Sequence, residues 1–144
     1  MSVPALLIFL AFALPASAID IQSRRIPDRI VFPGFAAVFI LLLITQTEVL
    51  PNRLAAALLS ALFFFTLRRI VGGLGLGDVK FAALIGLCCG LPLAGAAFLA
   101  AALTGIAGCL IFRRGGKDRP LPFAPFLTIG AAAAFVLSKF LRFF

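Results

Sequence analysis

Residues 79–112 read VKFAALIGLCCGLPLAGAAFLAAALTGIAGCLIF, a stretch charged only at Lys80. As one continuous helix it would be about 50 Å long at 1.5 Å per residue, well beyond a hydrocarbon core of about 30 Å. Gly90-Leu91-Pro92 supplies a break, because proline cannot extend the helical hydrogen-bond ladder and glycine accepts turn dihedrals. The stretch therefore divides into a short fourth helix and a full fifth. Working outward, the remaining apolar runs cover residues 3–19, 30–45, about 50–67 and 121 to about 137. The expected fold is all-α: a polytopic membrane bundle of about six transmembrane helices, forming a single domain over residues 1–144. The first run ends in Pro15-Ala16-Ser17-Ala18, which imitates a secretory cleavage site. No Lys or Arg precedes it and everything downstream is again membrane-like, which favours a retained helix.

Composition supports the same solvent. The chain is 63% hydrophobic and 12% charged, with a mean hydropathy of +1.20, whereas a soluble domain is about half apolar and about a quarter charged. Apolar surface in this proportion belongs in lipid, and spans of roughly 20 residues allow about six or seven crossings with little left for loops. The net charge of +8 does not point to nucleic acid, because the chain has no Trp, Tyr or His with which to stack or read bases. Cys88, Cys89 and Cys109 lie inside apolar runs without CxxC spacing, so neither a zinc site nor a disulfide framework is expected. No cofactor is expected either.

The basic residues fall between the apolar runs and orient them. Arg24, Arg25 and Arg29 follow the first run, Arg68 and Arg69 the third, and Arg113, Arg114, Lys117 and Arg119 the fifth. These connections alternate as cytoplasmic loops do. Arg53, Lys139 and Arg142 fall on the opposite side, and both termini face away from the cytoplasm.

Only five residues are acidic. Glu48 and Asp118 read as solvated loop charges, and Asp28 as a cap or loop anchor for the second helix. Asp20 and Asp78 each stand where an apolar helix meets the membrane boundary, where a carboxylate costs a few kcal/mol unless paired, hydrated or functional. Two spans separate them, so the chain returns to the same face and the carboxylates can meet. A structural alternative makes both interfacial caps balanced by Arg24 and Arg25. The approach Gly72-Gly73-Leu74-Gly75-Leu76-Gly77-Asp78 favours function, because glycine permits the close backbone approach that opening a peptide bond to water requires.

Gly75-Leu76-Gly77-Asp78-Val79-Lys80 resembles the GxGDxK signature of prepilin peptidases, the type IV leader peptidases, which are GxGD-type intramembrane aspartyl proteases. Asp20-Ile21-Gln22-Ser23-Arg24-Arg25-Ile26-Pro27-Asp28 is similar to their other signature, an aspartate closing a helix, a basic stretch, then Ile-Pro-Asn or Ile-Pro-Asp. Leu121-Pro122-Phe123-Ala124-Pro125-Phe126-Leu127 resembles their proline-phenylalanine motif, with Ala124 where many relatives have glycine. The resemblance implies a membrane aspartic endopeptidase that removes the basic leader from prepilin or pseudopilin precursors at the cytoplasmic face of the inner membrane. It implies catalytic Asp20 and Asp78, with Gly75, Gly77, Lys80, Pro27 and Asp28 in support. The chain starts at the catalytic core and lacks the paired CxxC region of bifunctional members, so no methyltransferase activity is expected. The short form looks like the peptidases of tight-adherence pili; archaeal preflagellin peptidases share both aspartate motifs.

In the implied mechanism one aspartate is ionised and activates water while the other, protonated, hydrogen-bonds the scissile carbonyl. Asp78 opens a helix and Asp20 closes one, so the helix field assigns the base to Asp78 and the acid to Asp20. Lys80 either orients the substrate or the Asp78 loop, or snorkels to the interface. Gly130, Pro92 and Pro125 read as packing and helix breaks. Two other functions use the same carboxylates: a small ion- or proton-coupled transporter, which would hold them near mid-membrane within an inverted repeat, and a non-catalytic pilus or secretion assembly protein. The sequence specifies no oligomeric state.

Overall fold

A computed structural model of the chain describes residues 2–71, 74–113 and 122–140. Gly72, Gly73, Arg114, Lys117, Asp118, Arg119, Leu121 and Arg142, which carry loop, orientation or motif assignments in the sequence reading, lie outside the described residues. Six α-helices follow in chain order: α1 Val3–Ser23, α2 Asp28–Thr45, α3 Leu50–Val71, α4 Leu76–Cys89, α5 Leu91–Arg113 and α6 Ala124–Phe140, with a short 3₁₀ turn at Thr47–Val49 before α3. Four of them, α1, α2, α3 together with its leading turn, and α5, are long and apolar enough to cross a membrane. The chain is a multi-pass membrane protein.

The helices invert the pattern of a soluble bundle. On α5 the buried positions among the described residues are Ala94, Ala97, Ala101 and Gly108, while Leu99, Leu103, Ile106 and Leu110 are exposed. On α1, Ala5, Ala13 and Ala16 face inward with one large residue, Phe9, and Leu7, Leu14 and Ile21 face outward. Lipid is as apolar as leucine, so burial gives large side chains little advantage on these outer helices, whereas small ones let backbones approach and gain dispersion contacts. Gly86 and Gly130 are the closest approaches. A Cβ on Gly86 would lie 2.5 Å from the Ala56 carbonyl oxygen of α3, and one on Gly130 would fall onto the Ala97 carbonyl oxygen of α5. Gly130 thus serves packing, as its sequence context suggested.

The centre is α4. Its 14 residues span about 21 Å at 1.5 Å per residue, and nine of them are buried: Val79, Phe81, Ala82 and the run from Leu84 to Cys89. The break expected at Gly90-Leu91-Pro92 is real. Gly90 ends α4 at φ +75°, a left-handed conformation that suits glycine, and α5 begins at Leu91.

Several helix ends differ from the apolar runs: α2 begins at Asp28, α3 ends at Val71 and α6 at Phe140, and two further ends bear on the site. α1 continues four residues beyond Ile19 to Ser23, because the buried Asp20 and exposed polar residues complete its last turn; the Arg24 N–H then closes it onto the Asp20 carbonyl oxygen at 2.8 Å, with Arg24 at φ +52°. α6 starts at Ala124, with Pro122 and Phe123 outside it. Proline is tolerated within α1 at Pro15 and within α2 at Pro33.

Candidate active site

The carboxyl end of α1 and the amino ends of α2, α4 and α6 converge at one end of the bundle. Asp20 and Asp78 both line a cavity of about 640 Å³ there, together with Arg24, Ile26, Leu67, Gly77 and Phe123. The even number of crossings between the two aspartates therefore does return them to one site. Their position at helix ends differs from the mid-bundle placement that an ion-coupled carrier would use.

Asp20 is 5% exposed, and its Oδ2 accepts the Ala124 backbone N–H at 3.0 Å. No ion pair to Arg24 or Arg25 occurs among the described residues. Ala124 opens α6, so the proline-phenylalanine motif presents a helix amino terminus, with its unpaired N–H groups, to the first aspartate. Sequence reasoning missed this contact, and the alanine at 124 does not weaken it, since any residue but proline offers the same N–H. Below it, Ser17 and Thr128 share a buried hydrogen bond of 2.9 Å between α1 and α6, and the Thr128 hydroxyl also donates to the Ala124 carbonyl. Helical spacing held a signal for this pair: Ser17 is three residues before Asp20 and Thr128 four after Ala124.

Asp78 stands at the third position of α4 and reaches back, its Oδ2 accepting the Gly75 N–H at 2.9 Å. Gly75 is the cap residue, and the carboxylate takes up a donor that the helix start would otherwise leave unpaired. Asp78 lies outside the four helices that are long and apolar enough to cross a membrane. Its carboxyl is raised above the ordinary carboxylate value, chiefly by burial; the Gly75 N–H opposes the rise and the nearby Asp20 charge adds to it. These findings change the assignment of base and acid. A helix amino terminus faces both carboxylates, α4 at Asp78 and α6 at Asp20, so the helix field does not single out Asp78 as the base.

The supporting residues join the two motifs to one another. A Cβ on Gly77 would lie 2.9 Å from the Ile26 Cβ and 3.2 Å from the Ile26 carbonyl oxygen, so glycine at 77 lets the start of α4 sit against the Ile26-Pro27-Asp28 segment. Pro27 caps α2, its carbonyl accepting the Ile30 N–H at 3.0 Å. Asp28 is the first residue of α2 and the acidic residue of its first turn. It receives Lys80, with Nζ 2.7 Å from both carboxylate oxygens and 5.2 Å from the Phe32 ring centre. Lys80 is thus a clamp between α4 and α2.

The side chains of this pair are 35% and 54% exposed, and exposed pairs contribute about 0–1 kcal/mol. A double-mutant cycle on Lys80→Met and Asp28→Asn, read by thermal unfolding in detergent, is expected to give a coupling of no more than about 1 kcal/mol. A coupling of about 3 kcal/mol would mean that the pair is desolvated.

The fold and site define a polytopic helical membrane protein with two carboxylates from separate motifs in one cavity. Residues 7–111 match the family model described as the type IV leader peptidase family, and the chain belongs to that family. It is 30% identical over 133 residues to a prepilin leader peptidase/N-methyltransferase of Bacillus subtilis (strain 168), covering 90% of this chain and 54% of the relative. To the protein of that name in Burkholderia pseudomallei (strain 1026b) it is 34% identical over 132 residues, covering 85% and 43%. With that of Pectobacterium carotovorum subsp. carotovorum it shares 28% identity over 143 residues, covering 93% and 51%. The chain spans about half the length of these curated relatives. No solved structure matches it.

Proposed function

We propose that the chain is an aspartic endopeptidase that removes the basic leader from pilin-like precursors, with Asp20 and Asp78 as its catalytic residues. The observation that carries this reading is the shared cavity, in which two carboxylates from distant motifs meet at one end of a membrane bundle. Arg24, Arg25, Arg29, Arg68, Arg69 and Lys80 belong to that end and only Arg53 and Lys139 to the other, among the described residues. The bias supports a cytoplasmic active site in the inner membrane.

Cleavage follows from one proton shared by the pair. The ionised aspartate takes a proton from water as the water oxygen attacks the scissile carbonyl carbon. The protonated partner donates to the carbonyl oxygen and stabilises the charge that develops there. When the tetrahedral intermediate collapses, the carbon–nitrogen bond breaks and the first aspartate returns its proton to the departing amine. Burial favours this, since two carboxylates that line one cavity cannot both ionise cheaply.

The test is direct: reconstitute the chain in lipid vesicles with a precursor that carries a short basic leader before an apolar helix. One cut between leader and helix is expected, and an intact precursor overturns the reading. The pH profile carries a further expectation. Because the Asp78 carboxyl is raised, the pair keeps its single proton at pH values where an ordinary aspartate has lost it. Loss of cleavage with rising pH should therefore begin above the ordinary carboxylate range of about 4. An alkaline limb within that range would contradict the raised value.

A further inference from the structure

A second recess, apolar and unused by the mechanism, lies between α3 and α5. It encloses about 550 Å³, walled by Leu59, Phe63 and Phe64 on one side and by Ala94, Phe98 and Ala102 on the other. Its end reaches Leu67 and Phe123, and both of these residues also line the cavity of Asp20 and Asp78. Leu67 and Phe123 therefore stand between the groove and the candidate catalytic cavity, each lining both.

Gly95 lies in this groove, and a Cβ added there meets nothing within 4 Å. Gly86 and Gly130 have their space filled by a neighbouring helix of the same chain, but Gly95 does not. Glycine within a helix costs about 1 kcal/mol relative to alanine, and among the described residues no contact uses the room it leaves. Small residues on a membrane helix are where a second helix approaches. From Leu91 to Ala102 the α5 wall is about 16 Å long at 1.5 Å per residue, or three turns of an occupant helix.

We propose that this groove seats the apolar helix of the precursor, and that the leader continues from it past Leu67 and Phe123 to the two aspartates. The inference rests on the peptidase reading and adds the route by which the substrate arrives. Phe123 is well placed on that route. Its ring lies 6.2 Å from that of Phe64 on the groove wall, and the next residue, Ala124, holds Asp20. A helix entering between α3 and α5 thus acts on the residue beside the catalytic hydrogen bond.

The test compares two substrates: the full precursor, and a soluble peptide that holds the leader and the scissile bond but no apolar helix. Gly95→Leu fills the groove at a position where the fold has free space. It is expected to lower kcat/KM for the precursor, relative to the peptide, at least tenfold, mainly through KM. An unchanged ratio between the two substrates overturns the inference while leaving the peptidase reading intact. Wild-type protein that cuts neither substrate removes both. A benzophenone-bearing residue in place of Gly95, in the Asp78→Asn background, is expected to photocross-link to the precursor helix. The same residue in place of the exposed Ile40 on α2 is not. Equal yields at both positions, or none at Gly95, would mean that only lipid chains occupy the groove.

Discussion

Asp20→Asn and Asp78→Asn are each expected to reduce precursor cleavage by about 10³-fold or more, to the background of the assay. Asparagine keeps the size of the side chain and an oxygen that can accept a hydrogen bond, so the Ala124 N–H and the Gly75 N–H retain their partners. What the variants lose is the ability to exchange a proton. The pair needs one member to take a proton from water and the other to give one to the carbonyl oxygen, and neither works alone. The double variant should therefore be no worse than either single one. Unfolding in detergent should shift little, which separates lost chemistry from lost fold. Retention of more than a tenth of the wild-type rate by either single variant would exclude this pair.

The second large effect is on stability. Gly130→Ala is expected to destabilise the bundle by about 2 kcal/mol or more, because overpacking against backbone has little room to relax. The added carbon would overlap the Ala97 carbonyl oxygen and lie 2.8 Å from the Ala101 backbone nitrogen. These are main-chain atoms of α5, which cannot rotate aside as a side chain can. α6 must move instead, and its first residue, Ala124, is the one bonded to Asp20. Loss of stability should therefore come with loss of cleavage. Gly95→Ala is the matched comparison, since the same change on α5 meets open space and should be neutral or stabilising by up to about 1 kcal/mol. Thermal unfolding of both variants in the same detergent provides the measurement; equal shifts would show that the α5–α6 contact does not depend on residue 130.

Asp20 and Asp78 stood out because a carboxylate beside an apolar helix is rare and costly, and Gly90 because a 34-residue apolar stretch cannot be one span. Lys80 and Asp28 were each visible, yet their pairing was not, since 52 residues separate them and surface ions leave no mark of their partners. The Ala124 N–H was beyond reach altogether. Every residue but proline carries this group, so nothing in the letter at that position announces that it meets a buried carboxylate.

The solvent of this protein, its helices and the return of both aspartates to one side are all legible from the order of its residues. These follow from transfer free energies and charge bias, which are summed along the chain without reference to a partner. The tertiary structure alone decided what each carboxylate touches, why residue 77 is glycine and where a groove opens between α3 and α5. Those depend on how each helix is rotated about its axis, which is set by close contacts between small residues on different helices.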